Sequence, residues 1–179
     1  QHLPLKRWCW RAGLIDADTN ACRLVHGEGD GLPSLVVDRF DRWLVVQLLS
    51  AGLEAHRGSI VAALQRLVPN DGILARNDAS VRSREGLTRG VERLAGSVPE
   101  TVEVREHGVR YLAAPHTGQK TGAFLDQREA RVFAGSIARG RALEVRFPIR
   151  WLRDHPLTIA DLTQEIDHLR AADFRLKVY

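Results

Sequence analysis

One stretch, Gly118-Gln-Lys-Thr-Gly-Ala-Phe-Leu-Asp-Gln-Arg128, crowds chemically capable side chains between glycines just ahead of a helical pattern. Gly118 and Gly122 permit backbone angles and close approaches that a Cβ would forbid, and Gln119, Lys120 and Thr121 supply hydrogen-bond donors at the bend. Asp126 and Glu129 have the Asp-x-x-Glu spacing of a capping box, and Ala130, Phe133, Ala134 and Ile137 follow as an apolar stripe at helical spacing. A polar loop feeding a helix N-terminus favours an anionic or electron-rich ligand. A plain turn ahead of a capped helix, with Lys120 merely solvated, would carry the same residues.

Several chemistries are excluded by spacing. The Lys120-Thr121 pair does not make a phosphate-binding P-loop, because Gln119 and Ala114 occupy the positions where that motif requires glycine. Asp16-Ala-Asp-Thr-Asn20 starts like a calcium loop, but Ala21 and Gly27 stand where glycine and glutamate are needed. The seven histidines show no His-Glu-x-x-His or similar spacing, so no metal is expected. Gly27, Gly29 and Gly31 run into Leu32-Pro33 and a strand pattern, which suits tight turns, and His26 beside them suits a structural hydrogen bond. Cys9 and Cys22 are too few for a disulfide framework or a four-cysteine zinc site, and both read as buried or inert thiols.

The elements that must position the loop follow from periodicity. Cys22 to Ser50 reads as a β-meander: Arg23 to His26, a glycine-rich turn, Leu35 to Val37, a bend at Asp38 to Arg42, and Trp43 to Leu49. Leu53 to Val68 predicts a helix with Ile60, Leu64 and Leu67 on one face, Ser50 as its cap and Pro69 beyond its end. Gly72 to Ala75 is a further strand, and Thr101 to Arg105 with Val109 to Leu112 form a hairpin around His107-Gly108. Between them Arg76, Arg82, Arg84, Arg89 and Arg93 punctuate a polar segment that could track a phosphate backbone or simply form a solvated face.

The chain has 179 residues, enough for one domain of ordinary size (~100–200 residues) or for a small domain and part of another. Its net charge is +4, and all but Lys6, Lys120 and Lys177 of its 26 basic residues are arginine, the residue suited to phosphates and bases. No long apolar run or signal-peptide pattern occurs, so the expected location is the cytoplasm, away from membranes. The absence of methionine leads us to expect a piece of something longer or a processed chain.

Three segments in order, ACRLVHGEGDGLPSLVVDRF (Ala21–Phe40), NDASVRSREGL (Asn77–Leu87) and GQKTGAFLDQREAR (Gly118–Arg131), resemble the S-adenosylmethionine-dependent methyltransferases that make 5-methylcytosine in large-subunit ribosomal RNA. The resemblance runs from about Asp18 to Arg139. In that family an RNA-binding PUA domain is followed by a mixed α/β domain and a Rossmann-like methyltransferase domain, with the glycine-flanked loop at the junction of the last two. It implies an α+β chain. Residues 1–20 would be a linker or short helix, and 21–115 a central domain with a small antiparallel sheet and one packed helix. Residues 116–179 would be the truncated beginning of the methyltransferase domain. It also implies S-adenosyl-L-methionine as cofactor and ribosomal RNA as partner, with Gln119, Lys120, Thr121, Asp126, Gln127 and Arg128 lining or bracing the cleft. Arg76, Arg82 and Arg84 are the expected RNA contacts.

The chain departs from that pattern after Arg139. Ala142 to Val145 could open the first Rossmann strand, but Arg146 to Tyr179 contains no glycine for a cofactor turn, and neither cysteine lies downstream of the matching segments to attack C6 of cytosine. The tail instead carries a Thr158/Asp161 capping box, a helical repeat of Ile159, Leu162, Ile166 and Leu169, and a strand-like end from Phe174 to Tyr179. The chain as given is therefore expected to be inactive in methyl transfer. A non-catalytic RNA-binding or scaffold module is the alternative.

Overall fold

The computed structural model describes residues 18–106 and 109–137. The expectations for Leu3–Ala17, Cys9, the His107-Gly108 turn and everything after Arg139 lie outside those residues. Up to Phe133 the described residues belong to one compact unit, and Ala134–Ile137 belong to a second.

Five strands form one sheet in chain order: β1 (Ala21–His26), β2 (Leu35–Phe40), β3 (Trp43–Leu48), β4 (Gly72–Asn77) and β5 (Gly90–Gly96). The first three are the antiparallel meander that the alternating pattern predicts. The β1–β2 connection is a tight 3-10 turn over Gly27–Asp30, ending at Gly31 with φ 70, and the Asp30 carboxylate accepts the His26 amide at 2.6 Å. β2 does not stop at Val37 but continues through Phe40, and the chain reverses at Asp41 and Arg42.

The expectation of a purely antiparallel sheet is corrected by β4, which runs parallel to β3. A strand, a helical crossover and a strand returning beside the first must point the same way, and the segment between β3 and β4 is helical. That segment is two pieces, α1 (Ala51–Ala55) and α2 (Arg57–Leu67), broken at His56, where one continuous helix was expected. Ser50 caps α1, its Oγ accepting the Leu53 amide at 3.4 Å. Ile60 and Leu64 pack on the sheet, whereas Leu67 is 42 % exposed and leaves the expected face. The polar stretch after β4 forms a short helix, α3 (Val81–Arg84), and then edge strand β5, antiparallel to β4, which the sequence pattern did not reveal.

The sheet is buried on both faces. Leu35, Val37, Leu44, Val46, Leu48 and Ile73 meet Leu53, Ile60, Val61 and Leu64 of the helices. On the opposite face Ala21, Phe40 and Val45 pack against β6 (Val102–Glu106) and β7 (Val109–Ala113), the expected hairpin, through Val102, Val104 and Ala113. Each fully buried aliphatic side chain here contributes about 1.5–3 kcal/mol. Asn20 stitches the hairpin to the sheet: its amide donates to Arg105 O at 3.1 Å, its Oδ1 accepts the Arg105 amide at 2.8 Å, and its Nδ2 donates to Glu103 O at 3.0 Å. The chain then passes through the Gly118–Gly122 loop and a 3-10 turn over Leu125–Gln127 into α4 (Arg128–Ile137). Asp126 sits inside that turn, whose N-cap is Phe124, and not at the helix-opening cap position that the capping-box expectation gave it.

Candidate functional site

The loop closes on itself. The Gly118 amide donates to Ala114 O at 2.7 Å, the Gly122 amide to Gln119 O at 2.9 Å, and the Ala114 amide to Gly122 O at 3.2 Å. A Cβ on Gly118 would lie 2.7 Å from Gly122 O and 2.8 Å from Ala114 O, so the tight closure requires glycine there. Gly122 has φ 129, likewise unsuited to a side chain. At the crown Lys120 adopts a left-handed backbone with φ 55, uncommon for a residue other than glycine.

The sheet holds this loop by two polar clamps on the face that the hairpin covers. Asp38 of β2 is fully buried; its Oδ2 accepts the Thr121 hydroxyl at 2.5 Å, and Arg23 of β1 donates Nε and Nη2 to the two carboxylate oxygens at 2.8 and 2.9 Å. The hydrogen bond to Asp38 raises the Arg23 guanidinium above its ordinary value despite partial burial. Arg76 of β4, 4 % exposed, donates Nη1 to Pro115 O at 2.7 Å and Nη2 to Gly118 O at 2.9 Å, and pairs with Asp78 at 3.0 Å. Residues from all three family-like segments, or flanking them, thus meet at one loop.

Lys120 is exposed and paired with Asp126, Nζ to Oδ2 at 2.6 Å, with the ammonium 4.7 Å from the centre of the Phe124 ring. The Lys120 hydrogen bond holds the Asp126 carboxyl below the usual aspartate range. Gln119 and Gln127 are exposed beside this pair. Thr121 is not exposed at all and braces the loop through Asp38. Arg128 is half-buried and reaches the Thr19 hydroxyl at 3.4 Å. Arg131 anchors α4 to the hairpin, donating Nη2 to the buried Glu106 carboxylate at 2.5 Å and Nη1 to Phe124 O at 2.9 Å while its guanidinium lies over the Tyr111 ring. Burial, with the Glu106 charge adding to it, pushes the Tyr111 phenol up.

The arginines expected to meet RNA divide. Arg76 turns inward as described. Arg82 is 3 % exposed and donates to Leu48 O, to Thr88 O at 3.0 Å and to Glu54 Oε2 at 2.9 Å, which ties α1 to the end of β3. Neither guanidinium faces solvent, so neither is presented to a phosphate. Arg84 is exposed, as are Arg89 and Arg93. Sequence reasoning passed over Asp38 and Arg23; the signal available was a pair of opposite charges on neighbouring strands of a pattern otherwise apolar. Among the described residues no group of His, Cys, Asp or Glu is placed to hold a metal ion, and no helix is long and apolar enough to cross a membrane.

No protein-family model matches the chain. The chain is 47 % identical over 121 residues to the ribosomal RNA large subunit methyltransferase I of Erwinia tasmaniensis, covering 66 % of this chain and 30 % of that protein. The corresponding Yersinia pseudotuberculosis protein is 42 % identical over 134 residues, 74 % of this chain and 34 % of its own length. A solved chain from Streptococcus mutans described as a SAM-dependent methyltransferase superimposes with a TM-score of 0.62 at 25 % identity, covering 76 % of this chain and 35 % of that one. A solved chain described as a methyltransferase, in complex with SAH, gives a TM-score of 0.57 at 25 % identity, covering 72 % of this chain and 33 % of its own. The chain therefore spans about a third of the length of the curated relatives it matches, and it is similar in sequence and fold to that third of large-subunit ribosomal RNA methyltransferases and SAM-dependent methyltransferases.

Proposed function

We infer that this chain is the substrate-side platform of an S-adenosylmethionine-dependent methyltransferase acting on large-subunit ribosomal RNA, with C5 of cytosine as the methyl acceptor. The observation that carries the inference is the 47 % identity to a ribosomal RNA large subunit methyltransferase I over most of the chain. The loop geometry supports it, because a held backbone presents Gln119, Lys120 and Gln127 outward while its internal groups are satisfied.

The residues present fit one edge of a cofactor site. Gln119 and Gln127 offer amide donors and acceptors, and Lys120 and Asp126 offer a charge of each sign, which suits a ligand that carries both a carboxylate and an ammonium. When bound, S-adenosylmethionine supplies an electrophilic methyl group. Thr121 holds the loop for that ligand without touching it, and Arg128 and Arg131 fix the start of α4 against Thr19, Glu106 and Phe124. Covalent attack on C6 needs a thiolate, and Cys22 is buried in the core on the helix-covered face of the sheet, away from the loop. The platform role therefore stands apart from the nucleophile.

Calorimetric titration with S-adenosylmethionine tests the inference: saturable binding that Lys120→Ala weakens is expected, and no binding to the wild-type chain would sink it. The exposed Arg84, Arg89 and Arg93 favour a second reading, a non-catalytic RNA-binding module. That reading expects binding to ribosomal RNA fragments that falls steeply with salt while the S-adenosylmethionine titration stays flat.

A further inference from the structure

Asp38 and Arg76 lie on strands β2 and β4, separated by β3, yet both send their polar atoms to the same loop. Side chains alternate along a strand, so these two, with Arg23, share the face opposite the helices. Placing a carboxylate and a guanidinium there is costly unless every donor and acceptor finds a partner, and the partners are almost all supplied by the loop and by Arg23 or Asp78. The clamps grip on either side of Lys120: Gly118 O and Pro115 O before it, the Thr121 hydroxyl after it. A left-handed backbone at a residue with a Cβ is strained and persists only where the surroundings over-determine it. Lys120, at φ 55, has those surroundings.

We propose that Asp38 and Arg76 are positioning residues for the loop: together they hold the left-handed turn at Lys120 and so set the direction in which Gln119 and Lys120 meet a ligand. The proposal rests on the inference that this loop is the ligand-facing edge. Arginine is required at position 76 because only a planar fork reaches two carbonyls and a carboxylate at once; a lysine ammonium keeps the charge and loses the geometry. The Thr121 hydroxyl is the removable half of the other clamp, since Asp38 keeps its two bonds to Arg23 without it.

The test compares Thr121→Val, Thr121→Ser, Arg76→Lys and a remote control, Arg42→Gln, which breaks the exposed Arg42–Asp71 pair. Two quantities are read on the whole chain: amide exchange at Gly118 and Gly122 relative to amides of β2 and β3, and the dissociation constant for S-adenosylmethionine. In Thr121→Val and Arg76→Lys the two loop amides exchange roughly tenfold faster, as loss of one charge-assisted bond predicts, while the strand amides stay within about twofold. Affinity falls by a similar factor, Thr121→Ser restores both quantities, and Arg42→Gln alters neither. Unchanged loop exchange, or acceleration spread evenly over the sheet, would overturn the proposal, because the clamps would then be ordinary stabilising contacts. So would a loosened loop that binds S-adenosylmethionine as tightly as the wild type. A loosened loop in a chain whose wild type binds no S-adenosylmethionine would support the clamp and remove the function inferred above, so the two failures are told apart.

Discussion

The two faces of the central sheet are built by different rules. The face under α1 and α2 is built around an aliphatic cluster, Leu35, Val37, Leu44, Val46 and Leu48 against Leu53, Ile60, Val61 and Leu64. The face under the hairpin and loop mixes Phe40, Val45 and Val102 with Asp38, Arg23, Arg76 and Thr121. Apolar packing is non-directional and tolerates small shifts, whereas a charge taken out of water is tolerated only when its partners stand in one geometry. The first face stabilises the unit. The second specifies where one loop sits, and that loop is the candidate site.

The largest expected effect breaks the first face. Leu44→Ala removes a fully buried side chain and should cost about 2–5 kcal/mol, read as a lower denaturation midpoint with an unchanged denaturant slope. Exchange at Gly118 and Gly122 should then rise no more than exchange in β2 and β3, because nothing in the loop contacts that face selectively. Preferential loosening of the loop in Leu44→Ala would erase the distinction between the faces.

A smaller effect separates two arginines only two residues apart. Arg82→Ala leaves Leu48 O and Thr88 O without their donor and Glu54 without one of its partners, for a loss of about 1.5–3 kcal/mol. Arg84→Ala, at an exposed position, should change stability by less than about 0.5 kcal/mol and should weaken binding to ribosomal RNA fragments while reducing its salt dependence. Thermal melts and filter binding on the same two variants check this. Equal stability losses would mean that Arg82 is not the inward tie described.

What the sequence disclosed follows the same division. The meander, the Ser50-capped crossover, the hairpin and the loop were legible, because alternation, capping and glycine placement are local signals. The parallel pairing of β3 with β4 was available in the strand, helix, strand order and was missed by extending the meander's antiparallel habit one strand too far. β5 was missed because an exposed edge strand, Gly90–Gly96, carries Glu92 and Arg93 outward and looks like a polar loop. The inward turn of Arg76 and Arg82 was not legible at all. Arginine is mostly a surface residue, and only the positions of distant carbonyls, from Leu48 to Gly118, make burial tolerable. The loop's residues could thus be named from sequence, but the side chains that hold them could not.

The smallest expected effect lies at the crown of the loop, where the polar face reaches solvent. Lys120 holds the Asp126 carboxyl below the usual aspartate range, mainly through their hydrogen bond and with its charge adding. A carboxyl whose pKa is lower in the folded than in the unfolded chain contributes stability that is present above the unfolded value and is lost as pH falls through the folded one. The pair should therefore be unchanged across neutral and mildly acidic pH and dissolve only beneath the ordinary aspartate midpoint of about 3.9. Both partners are exposed, so the contribution to global stability is slight and shrinks further with added salt. Carbon-detected titration of the Asp126 carboxyl reads it directly: the midpoint lies below that of an ordinary aspartate and moves up in Lys120→Ala. The Gly118 and Gly122 amide shifts should follow this titration, since they share the turn with Lys120, while amides of β2 and β3 on the helix-covered side should not respond. A midpoint at or above the ordinary value would mean that Lys120 points elsewhere in solution. The left-handed turn would then have no ion pair at its crown, and the clamps at Asp38 and Arg76 would support it together with the loop's own backbone hydrogen bonds alone.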